Sequence, residues 1–311
     1  MAVQWHRRRG ATLATTVAGG LVLGMLAVSG CGEQESEAEG QDGRPARGGA
    51  AGEVRQAQLA GPAVVDPARA LAVVRHVPWT LAGAGGARVR TSMETVSGGT
   101  RLTIRGRGAY DFIRPVGRLT VVLPEGAAGS SEHRPITEVF TPGALYMKNR
   151  GAGVPDGKWV RLETGSLADG DLLTSGATDP LAAAELLGGA REVAYAGQER
   201  LHGARVAHYW GTVDLSRAAR SAPARDRAAL AAAAKGFSTG TVAFDAYLDD
   251  RGRPRLLRYR FGERSAAGPA GGGEPMTVVS SVELFAFGLR PDIDLPAAGE
   301  IYAGTVASPQ K

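Results

Sequence analysis

The sequence predicts an α+β domain: one large antiparallel β-sheet with a few helices packed on one side. Three observations predict it. Apolar and polar residues alternate with a period of two in about eleven short runs. Gly, Pro and Asp turns separate most of those runs, as in antiparallel meanders. Only two interior interruptions have helical composition, with neither βαβ alternation nor a repeat of about 20–50 residues.

Asp66 before Pro67 reads as a cap and first turn, so a helix is expected over the run that continues to His76. In residues 101–112, Leu102, Ile104, Tyr110 and Phe112 share one face, and Arg101, Thr103, Arg105, Arg107 and Asp111 share the other. Gly106 and Gly108 fall on the apolar face, where they permit bending or close approach by another element. Similar runs cover 87–96, 116–123, 136–141, 144–148, 159–163, 192–196, 204–215, 241–248, 256–261 and 277–287. Asp249 to Pro254 forms a hairpin turn between two of them. Asp179-Pro180 opens a short helix that ends at Gly188-Gly189. Residues 216–235, rich in Ala and Arg, form a second helical stretch that Pro223 divides.

Before all of this stands a secretory pattern: Arg7-Arg8-Arg9, an apolar run over 11–28, then Val28-Ser29-Gly30-Cys31. The last four residues resemble the bacterial lipobox, which implies that Cys31 is the lipidation site and the mature N-terminus. The plainer alternative is an ordinary signal peptide beside an incidental thiol. The chain thus divides into a lipoprotein signal over 1–30, a tether over 31–62, a domain over 63–303 and a tail over 304–311. Glu33, Glu35, Glu37 and Glu39 keep the first part of the tether solvated, and it holds too little apolar surface to offset ordering entropy. Beyond Ala27 no apolar run approaches the roughly 20 residues that span a bilayer. The expected location is therefore the extracytoplasmic face of the cell membrane, on a lipid anchor. Cys31 is the sole cysteine, so no intrachain disulfide is available.

Net charge is +5, but Arg7, Arg8 and Arg9 precede Cys31, and the chain from Cys31 onward is close to neutral. Basic residues alternate with acids along the chain rather than forming a patch, so no nucleic-acid partner is expected. No Gly-x-Ser-x-Gly elbow occurs. The histidines are His6, His76, His133, His202 and His208. The last two can face one side of a strand, but six residues apart they need a third ligand to hold a metal. Asp169-Gly170-Asp171 and Asp249-Asp250 supply too few oxygens in register for calcium and read as solvated turns. The Gly tract over 268–273 lacks the Gly-Lys-Ser/Thr of a phosphate loop. The expectation is no enzyme, no metal and no cofactor.

A resemblance carries the rest. A lipobox cysteine, a polar tether and one helix precede a meander containing Leu145-Tyr146-Met147-Lys148 and Lys158-Trp159-Val160-Arg161. Then come a helix at Asp179-Pro180-Leu181, the strand Ala207-His208-Tyr209-Trp210-Gly211-Thr212-Val213-Asp214, and a closing strand ending at Phe287-Gly288. This order resembles the actinobacterial LppX/LprG-type lipoproteins and, more distantly, the LolA/LolB lipoprotein carriers. The resemblance implies a large curved antiparallel sheet, a half-barrel of about eleven strands, with helices on its concave face and a hydrophobic pocket between. It also implies a non-enzymatic lipoprotein that binds an acyl-chain lipid or lipoprotein ligand for transport or presentation. Leu102, Ile104, Leu119, Val121, Trp210, Val242 and Phe244 are the expected lipid-binding residues. The competing reading is a protein-interaction or sensory module on the same fold, with a filled core and a membrane-protein partner on its exposed face.

Overall fold

A computed structural model describes residues 65–124, 134–151, 153–264 and 275–304. The signal, Cys31, the whole tether, His133, the Gly tract and the last seven residues lie outside the described residues.

All eleven predicted strands are present, in one sheet. They are β1 (Gly86–Ser97), β2 (Thr100–Asp111), β3 (Val116–Val122), β4 (Ile136–Thr141), β5 (Ala144–Lys148), β6 (Trp159–Glu163), β7 (Ala190–Leu201), β8 (Ala204–Asp214), β9 (Thr241–Leu248), β10 (Pro254–Arg264) and β11 (Pro275–Leu289). Their order is β6-β5-β4-β3-β2-β1-β11-β10-β9-β8-β7, every pair antiparallel. Two meanders are thus zipped together through β1 and β11, over ten paired residues from Gly86–Leu289 to Val96–Thr277. Register shifts add two residues to β11 opposite β1 and single residues to one strand of the β7–β8 and β9–β10 pairs, which bends the strand and increases its twist.

Four helices cover one face: α1 (Pro67–Ala82), α2 (Pro180–Leu186), α3 (Leu215–Ser221) and α4 (Ala224–Gly236). Asp66 caps α1 through the Ala68 N–H, and the helix runs through Pro78 to Ala82. Asp179 caps α2 through two N–H groups. Pro223 separates α3 from α4 as expected, because its ring cannot continue a helix. Val74, Val77 and Leu81 of α1, Leu181 and Leu186 of α2, Leu215 of α3 and Leu230 of α4 share one continuous core with the covered sheet face.

The opposite, outer face carries a second, smaller cluster. Val116, Val139 and Trp159 pack there with Ile293 from the segment after β11. That segment crosses the outer face, bonding Arg114 through the Pro291 carbonyl and Lys158 through the Gly299 carbonyl. It ends with Ile301 bridged to Trp159.

Two expectations about faces need correction. Asp111 does not stand among solvated arginines. It is buried at the end of β2, accepting from the Ile113 and Arg114 N–H groups and from the Arg114 guanidinium. Burial works against its ionisation, but those hydrogen bonds outweigh it and hold the carboxyl below the ordinary range. The basic residues do form a patch: cross-strand register stacks Arg88, Arg90, Arg105, Arg107 and Arg118 on the outer face of β1–β3.

Candidate binding site

The covered face of the sheet is mainly apolar from β6 to β7, broken by Thr91, Glu138 and Ser280, and the register shows why. Val89 on β1 stands beside Gly108 on β2, Leu119 on β3 and Leu284 on β11. Tyr259 on β10 faces Phe244 on β9, which faces Gly211 on β8. Gly106 and Gly108 sit on this face, as expected. Without a side chain at Gly106, Ala177 from the 164–179 connection lies directly over the strand.

Of the seven residues expected to line a pocket, four are sealed in the core. Leu119 and Val121 are 0 % exposed, and Val242 and Phe244 are 1 %. All four belong to the one cluster in which sheet and cover pack together. Leu102 and Ile104 are only partly buried, and Ile104 meets Gly176 of the covering connection. They form a rim on the covered face, where Ile104, Leu123 and Met276 pack against the core without being enclosed by it.

Trp210 is the correction. It is 54 % exposed and pairs with Asp245, on the outer face. The inward position beside it is Gly211, where a side chain would collide with the Glu192 carbonyl and the Phe244 ring. The large residue points out and the smallest points in.

Four polar ties hold the cover to the sheet. The Tyr110 hydroxyl donates to Asp179 Oδ2 at 3.2 Å, and the Tyr259 hydroxyl to the Ala183 carbonyl at 2.5 Å. Thr178 Oγ1 and Ser280 Oγ lie 2.7 Å apart. The Arg150 guanidinium donates to the Ser175 and Thr174 carbonyls at 2.7 and 3.1 Å.

Along this seam and in the α2–α4 contact beside it lie five carboxyl groups that burial disfavours as anions. Glu138 points inward from β4, is 0 % exposed, and neither oxygen has a hydrogen-bond partner. Burial first, then the charge of Asp171, pushes its pKa well up, with Arg150 opposing. Asp171, at a left-handed φ of 67°, is pushed well up by burial and by Asp169. Asp179 is raised to about 7 by burial and Asp226, against the two N–H groups it caps. Glu185 is raised to about 7 by burial and Asp226, although Arg225 stands 3.2 Å away. Asp226 is itself raised by burial, with Arg225 opposing at 3.0 Å. An apolar wall would avoid these costs altogether. Periodicity gives no hint of this seam, because a carboxylate at an inward strand position resembles any other polar interruption.

The two histidines of β8 and the turn before it are accounted for by structure. His208 stacks on Tyr247 and uses both ring nitrogens, Nδ1 toward Glu199 at 2.8 Å and Nε2 toward Asp245 at 3.0 Å. No nitrogen is left to activate a nucleophile. His202, in the β7–β8 turn, meets Glu283. Among the described residues, no group of three or more His, Cys, Asp or Glu is placed to hold a metal ion, and no helix is long and apolar enough to cross a membrane.

No protein-family model and no curated protein sequence matches the chain. Solved structures do resemble it. LprF from Mycobacterium bovis is 12 % identical, with a TM-score of 0.39 over 75 % of this chain and 100 % of that one. The lipoprotein LppX from Mycobacterium tuberculosis is 10 % identical, with a TM-score of 0.43 over 74 % and 100 %. A LolA-superfamily protein from Nitrosomonas europaea is 12 % identical, with a TM-score of 0.32 over 75 % and 96 %. Two of the three carry the LppX and LolA-superfamily names that the sequence resemblance uses.

Proposed function

We propose that this chain is a non-enzymatic binding protein of the cell envelope, anchored through a lipidated Cys31, that takes an acyl chain between sheet and helical cover. The observation that carries this reading is the seam. An apolar sheet face is closed by a cover whose ties run beside carboxyl groups that burial opposes, so the closed state is held against a standing electrostatic cost. Lifting the cover would expose Leu119, Val121, Val242 and Phe244, with Leu102 and Ile104 at the entrance. Each methylene then buried contributes about 0.8 kcal/mol, so a chain of about ten contributes roughly 8 kcal/mol toward the lost cover contacts, before ordering costs. Native mass spectrometry of the purified chain, with solvent extraction, tests it. A co-purified lipid is expected; none, together with no uptake of a fluorescent fatty acid, contradicts it.

A second reading is favoured by one observation. Leu119, Val121, Val242 and Phe244 are sealed in the core, and the outer face leaves Trp210 in solvent. A protein-interaction module that uses its outer face, with a membrane-protein partner, requires no opening of the seam. Pull-down by the folded chain that Trp210→Ala abolishes, with no lipid found, would support this reading over the first.

A further inference from the structure

The outer face of β1–β3 concentrates positive charge, of which the fold uses Arg90, on Glu283 and the Phe285 ring, and Arg118, on the Asp294 carbonyl. Arg90 and Arg107 are directly opposed across β1 and β2, and Arg105 follows Arg107 on the same face. Arg88 and Arg118 flank Ala109 one register further on. Like charges placed opposite each other weaken a sheet. Arg90 is paired with Glu283, whereas Arg88, Arg105 and Arg107 make no ion pair among the described residues. Apart from Asp111, bound to Arg114, the outward positions of β2–β5 carry no carboxylate.

The surface is also shaped. A concavity of about 600 Å³ is lined by Arg90, Arg105, Arg107 and Thr120, with apolar contact from Val122 and Leu256. A second, of about 410 Å³, adjoins it through Arg107 and Thr120 and adds Arg88 and Arg118. Val122 is 49 % exposed at the edge. Guanidinium groups match phosphate oxygens in pairs, and threonine hydroxyls supply further donors.

We propose that this arginine patch docks the chain on an anionic phospholipid surface, the two concavities receiving headgroup phosphates. Charge complementarity carries the assignment: several closely set guanidiniums, with hydroxyls between them and an apolar edge, face outward and outnumber the carboxylates beside them, Glu283 and Asp292 at the concavities and Glu94, which Arg101 takes up. The patch lies on the side of the sheet opposite the helical cover, so the inference stands or falls independently of the acyl-chain reading.

The test uses residues 32–311, which keep every described element and lack the anchor. Their co-sedimentation with vesicles of phosphatidylglycerol and phosphatidylcholine is compared with that on phosphatidylcholine alone. Binding to the anionic vesicles that falls with added salt is expected. Arg105→Gln with Arg107→Gln should weaken it by about fivefold per arginine, while Arg105→Lys with Arg107→Lys retains most of it. Thermal melts show that the exposed substitutions leave the fold intact, and Arg220→Gln on α3 serves as a control that leaves binding unchanged. Equal binding to both vesicle types, or binding that ignores the glutamine variants, overturns the proposal. So does saturable binding of inorganic phosphate without vesicle binding, which would assign the patch to a free phosphate ligand. Vesicle binding by a variant whose acyl uptake is lost would separate the two readings.

Discussion

Replacing Glu185 by Gln should make the protein more stable at neutral pH and leave it unchanged near pH 4. Glu185 lies on α2 with 8 % of its side chain exposed, and its pKa stands at about 7, against 4.5 for the ordinary group. A carboxyl whose folded-state pKa is raised binds its proton more tightly in the folded state. Its stability contribution is fully present below the unfolded pKa and is lost as pH rises through the folded value. Here the window runs from about pH 4.5 to pH 7. At about 1.4 kcal/mol per pH unit, the loss reaches about 3 kcal/mol by pH 8. The Arg225 attraction is already contained in the shifted value, and Gln retains an acceptor for that guanidinium. Urea melts at successive pH values from 4 to 8 measure the difference. The two curves should coincide at the acid end and separate by up to about 3 kcal/mol at the other. Asp250→Asn, in the exposed β9–β10 turn, should track the native chain throughout. Parallel curves for Glu185→Gln would refute the claim that burial in the folded chain raises the pKa of this carboxyl.

The face assignments make a second prediction. Phe244→Ala, in the sealed core, should cost about 3–5 kcal/mol in chemical denaturation, whereas Trp210→Ala should cost well under that. Comparable costs would mean that β8 is out of register. Gly117→Ala places a methyl against the Tyr110 ring and should destabilise by about 1–3 kcal/mol, with the change also reaching the Tyr110–Asp179 tie. A neutral effect, measured by the same melts, would mean that the ring does not lie over β3.

Much of the fold is legible in the sequence, for identifiable reasons. Strands such as β4, β5 and β6 match residue for residue, because each is a short period-two run with a turn on either side. Alternation marks β7 only over 192–196, yet the strand spans Ala190–Leu201. Its outer half is largely exposed and carries Gly197, Gln198, Glu199 and Arg200, whose polarity hides the pairing with β8. Trp210 misleads because bulk suggests burial, whereas the inward side of β8 at that point admits only Gly211. The arginine patch is hidden when charge is weighed along the chain. Across strands, Arg90 and Arg107 are neighbours, and Asp111, which alternates with them in sequence, turns to serve the 112–115 turn. The seam carboxyls are invisible for a related reason. Glu138 and Asp171 meet through a long connection, and Asp179, Glu185 and Asp226 meet only when α2 and α4 pack together.

The central claim is that an acyl chain enters between sheet and cover. Thr178 and Ser280 tie the two, their hydroxyls 2.7 Å apart, so Thr178→Cys with Ser280→Cys, in a chain where Cys31 is also replaced by Ser, places two thiols at bridging distance. Fluorescent fatty-acid uptake is then compared in the oxidised and reduced forms. Uptake should be lost when the disulfide clamps the cover and should return on reduction. Equal uptake in both forms, or none in either, would contradict the account.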